Sequence, residues 1–367
     1  TFGRPGIGVF ENGKTYAVLA NGYNNTINLP YDRSRSTTGR AALFIVDIAT
    51  GEIVKTFESR KGFKEDPSGN ELVNGFAEPA LVDSDRNGLI DTLYVGDLFG
   101  EMYSFQVSEQ KESSWSSYGG TENDRYQPIM DGKAVDYYPI TTRPVVTKTQ
   151  VQIEGETVDS NLVIYGTGQH FTDLVPEHKE YLMAVVHDRD PRTSLVERSG
   201  MVQHHIELHD DQIVYNGKTM NGSTQAQSLF NDQGWYMVFD GPLESYSVAR
   251  DLRIVSGELQ VVLDPKPKTL ANTCVNNEKG LYSLILNPRS GGPTSNTIFI
   301  DEDGTRAMHE DALVVGEHIS KSEAAVQVVL GDDGNTYTMT VEDGEVKLKQ
   351  RGALNAGDGR QSWRRLY

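Results

Sequence analysis

Residues 96–107 read GDLFGEMYSFQV, and a related stretch, GDDGNTYTMTV, returns at residues 331–341 with one residue deleted. Gly-Asp, Gly, Tyr and Val come back in the same order, and a looser copy, LFIVDIATG, lies at residues 43–51. Repeated strand-turn-strand units are typical of a β-propeller, in which each blade buries its faces against its neighbours. The alternative is a set of unrelated hairpins that share turn chemistry.

Short β-branched or aromatic runs alternate with turns along most of the chain. The turn pairs are Asn12-Gly13, Thr50-Gly51, Asn216-Gly217, Ser256-Gly257, Asp333-Gly334 and Asp343-Gly344. Asn-Gly and Asp-Gly supply the positive φ values that two-residue hairpins require. The pattern predicts an all-β protein, and the repeat favours an irregular β-propeller. Two polar segments, 108–137 and 264–280, are predicted to be long inter-strand loops, and residues 1–367 to form one domain.

The composition excludes several classes of function. The formal net charge of -18 disfavours nucleic acid, because a phosphate backbone requires a basic face. No apolar run approaches the ~18 residues that a membrane-spanning helix needs. The single cysteine, Cys274, excludes an internal disulfide framework. The chain starts at Thr1, and we expect it to be a piece of a longer protein.

One acidic stretch predicts a calcium-binding loop. Residues 83–91 read DSDRNGLID, which places Asp83, Asp85 and Asn87 at loop positions 1, 3 and 5, with Gly88 at the sharp turn. Leu89 at position 7 would offer its backbone carbonyl, and Asp91 at position 9 would bind directly or through water. Carboxylates packed this closely repel one another, so the arrangement is costly without a cation.

This loop departs from an EF-hand. Position 12 is Tyr94 and not the bidentate Glu, and the following residues alternate as a strand, so we expect one protein ligand fewer and weaker affinity. An acidic solvated turn is the alternative reading. A second candidate, a zinc site, would require His205, Glu207 and His209 to share one strand face, but their spacing favours separate surface roles.

Phrases spread along the chain carry a family resemblance: AVLANGY (17–23), ALFIVDIATG (42–51), YVGDLFG (94–100), YGTG (165–168), GWY (234–236), GLYSL (280–284) and SWRRL (362–366). With the acidic loop, they resemble the C-terminal domain of the PilC/PilY family, which is associated with the tips of bacterial type IV pili. The resemblance implies a modified β-propeller with quinoprotein-like blades and one Ca²⁺, bound by Asp83, Asp85, Asn87, the Leu89 carbonyl and Asp91. The family's N-terminal adhesive region would lie outside this chain.

The resemblance also implies a non-enzymatic role. Family members support pilus biogenesis by opposing retraction, and they support twitching motility, adhesion to host cells and virulence. The implied partners are pilin, minor pilins and a host-cell receptor, and the implied location is the pilus tip or outer-membrane surface. Two alternatives stay open. One is a quinoprotein-type dehydrogenase, although such enzymes are longer and often use a vicinal cysteine pair. The other is an integrin-like or lectin-like calcium propeller, although those repeat the loop in several blades.

Overall fold

The computed structural model describes residues 3–23, 38–65, 71–117, 128–130, 138–153, 156–168, 179–187, 196, 198–215, 233–255, 257–266, 280–294, 299, 307–309, 312–320, 327–330, 335–342 and 345–353. Within these ranges the chain forms β-strands and short 3-10 turns but no α-helix, which confirms the all-β prediction. Nowhere in them does a helix have the length and apolar character to cross a membrane.

The first sheet is an antiparallel meander of four strands. It runs in the order β1 (Gly6–Val9), β2 (Thr15–Ala20), β3 (Ala42–Asp47) and β4 (Ile53–Glu58). The predicted turns at Asn12-Gly13 and Thr50-Gly51 connect β1 to β2 and β3 to β4, with φ values of 79° at Gly13 and 76° at Gly51. A two-stranded ribbon of β5 (Phe63–Glu65) and β6 (Glu71–Val73) follows.

The second sheet carries the acidic loop. Its strands are β7 (Ala80–Val82), β8 (Thr92–Gly96), β9 (Met102–Gln106) and β10 (Ser116–Ser117), each antiparallel to the next. All five residues of β8 are buried, because this sheet is covered on both faces. The last strand corrects the prediction of a continuous loop over 108–137: Ser116 and Ser117 pair with β9, and Trp115 is only 1% exposed. Residues 118–127 and 131–137 lie outside the described ranges.

The third and fourth sheets are larger. The third contains β11 (Val145–Ile153), β12 (Glu156–Gly166), β13 (Glu180–His187), β17 (Gly234–Phe239) and β14 (Val202–His204), the last of which runs parallel to β17. The fourth has the order β15 (Ile206–His209), β16 (Gln212–Tyr215), β23 (Ala312–Ser320), β21 (Leu281–Leu286), β20 (Glu258–Pro265) and β18 (Tyr246–Ser247), with β19 (Arg253–Val255) on β20 and β22 (Met308–His309) on β23.

The remaining described strands form a three-stranded sheet of β24 (Gln327–Leu330), β25 (Asn335–Glu342) and β26 (Glu345–Ala353). Both connections are antiparallel, so the hairpins predicted around residues 333–334 and 343–344 are confirmed, although those turn residues themselves lie outside the described ranges. The pair at Asn216-Gly217 and most of the predicted 264–280 loop also lie outside them.

Alternation along the strands builds the core between successive sheets. On β8, Leu93 and Val95 pack into a cluster with the first sheet, whereas Tyr94 packs into a cluster with the third. On β12, Val163 faces the second sheet while Leu162 joins a cluster with the fourth. Because side chains alternate across a strand, each inner sheet can bury both faces. Sheets one to four therefore pack face to face in chain order, as the blades of a propeller do.

Aromatic rings fill the space between the first two sheets. Phe57 and Phe105 stack with ring centroids 4.3 Å apart, and Trp115 lies 5.4 Å from Phe10 and 5.2 Å from Tyr16. Burying one such ring contributes about 1.5–3 kcal/mol to stability. This packing holds the β1–β2 turn beside the second sheet, which matters for the site described next.

Candidate metal centre

The predicted ligand residues lie in the loop that joins β7 to β8. Both ends of this loop are fixed by backbone hydrogen bonds, because the Asp91 amide donates to the Val82 carbonyl at 3.1 Å and the Asp91 carbonyl accepts from Val107 at 2.9 Å. Gly88 has φ 94° and Arg86 has φ 65°, so two residues adopt the left-handed region. This region is open to glycine without a steric penalty, and here it lets the loop reverse direction sharply.

The polar side chains of the loop turn inward onto its own backbone. The Asp83 carboxylate accepts from the Asn87 amide at 3.1 Å and from the Gly88 amide at 2.7 Å. The Asp85 carboxylate accepts from the same Asn87 amide at 3.1 Å. The Asn87 side-chain oxygen accepts from the Leu89 amide at 2.8 Å. The side-chain oxygens at these alternating positions therefore accept hydrogen bonds from the loop's own backbone amides, while Leu89 itself is half-buried.

Asp91 is the buried member of the set. It is 1% exposed, and its carboxylate accepts from the Ser84 amide at 2.9 Å and from the Thr92 hydroxyl at 2.6 Å. A buried ionised carboxylate is costly unless it is hydrogen-bonded or paired with a cation. The Ser84 amide and the Thr92 hydroxyl satisfy part of the hydrogen-bonding capacity of this carboxylate and fix its orientation toward the loop.

A residue that sequence reasoning missed joins this group. One carboxylate oxygen from each of Glu11, Asp85 and Asp91 lies within 4.8 Å of the other two. Glu11 belongs to the β1–β2 turn in the first sheet, and its Oε1 accepts from Asn87 Nδ2 at 2.7 Å. At such separations each pair of like charges repels by about 1 kcal/mol in water and by more where the protein lowers the effective dielectric. A divalent cation would convert that repulsion into attraction.

The structure does not place Asp83 in that group of three. Its two oxygens face the amides of Asn87 and Gly88, which close the turn. The described residues thus bring Asp85 and Asp91 together with Glu11, while Asp83 stabilises the turn through its bonds from the Asn87 and Gly88 amides. The local sequence contains no signal for Glu11, because it lies in a different sheet.

A polar network connects the loop to the third sheet. Asn161 Nδ2 donates to the Ser84 hydroxyl at 3.1 Å and to the Tyr94 hydroxyl at 2.9 Å. The Lys148 ammonium donates to the Ser84 carbonyl oxygen and, at 2.7 Å, to Asn161 Oδ1. The Tyr94 hydroxyl lies 2.7 Å from His187 Nδ1. Buried polar networks of this kind fix the geometry of the groups that they support.

The histidine-rich stretch does not form the shared strand face considered above. β14 ends at His204 and β15 begins at Ile206, and the two strands belong to different sheets. His204 is 3% exposed and hydrogen-bonds through Nδ1 to the Tyr215 hydroxyl at 2.6 Å. Glu207 and His209 contact each other at 3.2 Å near the surface, and His205 lies between the strands. Glu207 and His209 thus pair with each other on β15, and the described residues do not gather them with His205 into a cluster of three ligands.

The donor set fits a hard divalent cation. The carboxylates that converge at the loop, those of Glu11, Asp85 and Asp91, are oxygen ligands. Asp83 and the side-chain oxygen of Asn87 lie in the same loop, where they accept hydrogen bonds from its backbone. Ca²⁺ takes six to eight such oxygens, and it accepts irregular geometry, whereas thiolate and imidazole ligands favour softer metals. The group of Glu11, Asp85 and Asp91 is the only metal-competent cluster of acidic, histidine and cysteine residues in the described parts of the chain.

The face-to-face sheets and the acidic loop between β7 and β8 define an irregular β-propeller with a candidate cation site. The family described as "PilY1 beta-propeller domain" matches residues 1–213, more than half of the chain. The chain therefore belongs to the PilY1 family.

Curated relatives and a solved structure agree with this assignment. The "Type IV pilus biogenesis factor PilY1 homolog" of Xylella fastidiosa is 26% identical over 319 residues, covering 84% of this chain and 20% of the relative. The "Type IV pilus biogenesis factor PilY1" of Pseudomonas aeruginosa is 23% identical over 401 residues, covering 99% of this chain and 32% of the relative. The chain thus spans about a fifth to a third of these proteins.

The crystal structure of the Pseudomonas aeruginosa PilY1 C-terminal domain shares the fold. It superposes with a TM-score of 0.66 at 20% identity, covering 95% of this chain and 72% of that chain. At this level of identity the likeness shows the architecture alone. It confirms the prediction of an irregular β-propeller.

Proposed function

We propose that this chain is a calcium-binding propeller domain that supports type IV pilus biogenesis. The observation that supports calcium is the convergence of carboxylates at the β7–β8 loop, where Asp85 and Asp91 approach each other and Glu11 within 4.8 Å. Asp83, Asp85, Asn87, the Leu89 carbonyl and Asp91 are the proposed ligands. Ca²⁺ is preferred to Mg²⁺ because Mg²⁺ keeps more of its waters and needs near-octahedral geometry.

The pilus assignment rests on family membership. The relatives carry the name of type IV pilus biogenesis factors. We propose that this chain acts with pilin and minor pilins at the pilus tip or the bacterial outer surface, where it opposes retraction and supports twitching motility and attachment to host cells. The role is non-enzymatic: the domain binds and assembles.

The proposed mechanism is a change in local order. Calcium would neutralise the clustered carboxylates and stiffen the loop between β7 and β8, both of which lie in a sheet buried on its two faces. Loaded and unloaded domains would then present different surfaces to the pilus machinery. A ligand can shift the balance between two conformations only by its differential affinity for them. A substitution that weakens calcium binding should therefore also weaken the effect of calcium on the loop.

Calorimetry tests the calcium site. Asp85 is the best position to change, because it is exposed and its hydrogen bonds go to Asn87 within the loop. Asp85→Ala should weaken calcium binding at least tenfold and leave the far-ultraviolet circular dichroism unchanged. Asp159→Ala, at an exposed acid on β12, is the matched control and should bind as the wild type does. Equal affinities for all three proteins would sink the ligand assignment.

Pilus counts test the cellular role. In bacteria that express the whole protein, Asp85→Ala should reduce the number of surface pili and the diameter of twitching zones, while Asp159→Ala should not. Deleting the retraction motor should restore pili to the Asp85→Ala strain if the domain opposes retraction. Unchanged piliation and motility in that strain would reject the switch.

A further inference from the structure

We propose that Glu11 is a ligand of the same cation, so that the ion joins the first sheet to the second. This inference rests on the proposed calcium site and adds to it a ligand and a mechanical role. The proposed ligand set takes five protein oxygens from the loop, which lacks the bidentate Glu that an EF-hand places at position 12. Glu11 would supply that missing carboxylate from a neighbouring sheet.

The turn that carries Glu11 is held in place. The Phe10 amide donates to the Lys14 carbonyl at 2.9 Å, and the Gly13 amide donates to the Phe10 carbonyl at 2.8 Å. Phe10 is fully buried, and its ring centroid lies 4.9 Å from that of Tyr16 and 5.4 Å from that of Trp115. Glu11 thus follows an anchored residue, so the backbone that carries its side chain is held beside the acidic loop.

Direct contacts bring this turn against the acidic loop. The Ile90 amide donates to the Val9 carbonyl at 2.8 Å, and Phe10 and Ile90 form an isolated parallel bridge. Gly8 allows this approach: a Cβ atom added there would lie 2.8 Å from Ile90 Cγ1. On the other side, Gln110 Nε2 donates to the Glu11 carbonyl at 3.1 Å. Both the backbone and the carboxylate of Glu11 therefore face the second sheet.

One amide group already links the two carboxylates that would share the ion. Asn87 Nδ2 donates to Glu11 Oε1 at 2.7 Å and to Asp85 Oδ2 at 3.2 Å. A single donor with a partial positive charge therefore lies between acids from different sheets. A cation coordinated at this point would draw on both acids, and a ligand set of six protein oxygens reaches the lower end of the calcium range.

The consequence is a calcium-dependent connection between sheets. A loop-only site would order residues 83–91, whereas a site that includes Glu11 would also protect the β1–β2 turn. The two arrangements differ in the region that responds to calcium, which makes them separable by experiment.

The test uses three forms of the whole chain: wild type, Glu11→Gln and the control Glu52→Gln, which removes one exposed acid from the turn of the same sheet. Glu11→Gln keeps the side-chain shape and an acceptor for Asn87. Titration with calcium chloride at ~0.15 M salt, where the Debye length is about 8 Å, suppresses distant charge effects. We expect at least tenfold weaker binding by Glu11→Gln and wild-type binding by Glu52→Gln.

Hydrogen exchange supplies a second readout. Calcium should slow exchange at residues 10–14 and 83–91 in the wild type, but only at 83–91 in Glu11→Gln. If the wild type binds no calcium, the proposed function fails together with this inference. The alternative outcome is that Glu11→Gln binds calcium as tightly as the wild type and that calcium protects residues 10–14 in neither protein or equally in both. In that case the loop site stands and the role of Glu11 is overturned.

Discussion

Replacing Asp91 and replacing Asp85 should have different effects on stability when calcium is withheld, although both are proposed ligands. Replacing Asp91 by Ala leaves the buried Ser84 amide without its acceptor and removes a bond from the Thr92 hydroxyl. Each hydrogen bond to a charged acceptor contributes about 1.5–3 kcal/mol, so these losses together cost about 3–6 kcal/mol. Relief of repulsion from Asp85 and Glu11 returns about 1 kcal/mol for each acid near the solvent, where the value for water applies. The net expectation is a loss of roughly 1–4 kcal/mol in the free energy of unfolding.

Asp85→Ala loses no buried hydrogen bond, because its partner Asn87 is exposed. The same relief of repulsion then leaves this variant within about 1 kcal/mol of the wild type or slightly more stable. Calcium should separate both variants from the wild type. At free calcium about 100 times the wild-type Kd, binding adds ~2.7 kcal/mol to the wild-type stability and ~1.4 kcal/mol or less to a variant that binds at least tenfold more weakly.

Urea unfolding followed by tryptophan fluorescence measures the stability of each variant relative to the wild type, once in chelator and once in calcium. The slope with denaturant should not change, so that the midpoints report stability. The prediction is contradicted if Asp91→Ala unfolds at the wild-type midpoint in chelator, because the buried hydrogen bonds to Asp91 would then contribute nothing to stability. It is equally refuted if calcium raises the midpoint of both variants as much as that of the wild type.

Three further results are expected. Burial lowers the pKa of His204 to about 4, so the contribution of its neutral form to stability is complete above pH 6.5 and is lost as the pH falls toward 4. Between pH 7.5 and pH 4, the free energy of unfolding of His204→Gln, measured in urea, should therefore fall by about 3 kcal/mol less than that of the wild type. Gly8→Ala should lower the free energy of unfolding by about 1–3 kcal/mol and weaken calcium binding, because the added Cβ would meet Ile90. A wild-type melting temperature together with a wild-type calcium affinity in calorimetry would contradict the close contact. Lys148→Met should lower stability in chelator but tighten calcium binding, because it removes an ammonium group that donates to the Ser84 carbonyl and carries a positive charge near the loop. Weaker calcium binding by this variant in calorimetry would overturn the electrostatic explanation.

Local patterns predicted the hairpins well because hairpins are local structures. Asn12-Gly13 and Thr50-Gly51 each lie between runs of apolar residues, and both connect antiparallel neighbours as expected. The 83–91 loop is local in the same sense, because the polar residues at its alternate positions accept hydrogen bonds from its own backbone. A tight loop fixes its own geometry through a few backbone dihedrals.

Features that depend on packing between sheets could not be predicted. β10 has only two serines, and its pairing with β9 follows from the burial of Trp115 against Phe10 and Tyr16. Glu11 reaches the loop only because β1 packs beside it, and no spacing within residues 83–91 contains that information. The separation of His204 from Ile206 into two sheets likewise reflects long-range pairing of β14 with β17.

The Phe10–Ile90 bridge joins positions about eighty residues apart in the chain, and this separation has a kinetic consequence. Contacts between distant residues form late, since the intervening loop must close before they add any stability. The Glu11 side of the acidic site would therefore exist only after the first two blades have docked. A cation that needs this completed site would leave the folding rate almost unchanged and would slow unfolding instead, because it stabilises a contact absent from the transition state. The lifetime of the assembled blades, more than their speed of formation, would then follow the calcium concentration around the cell.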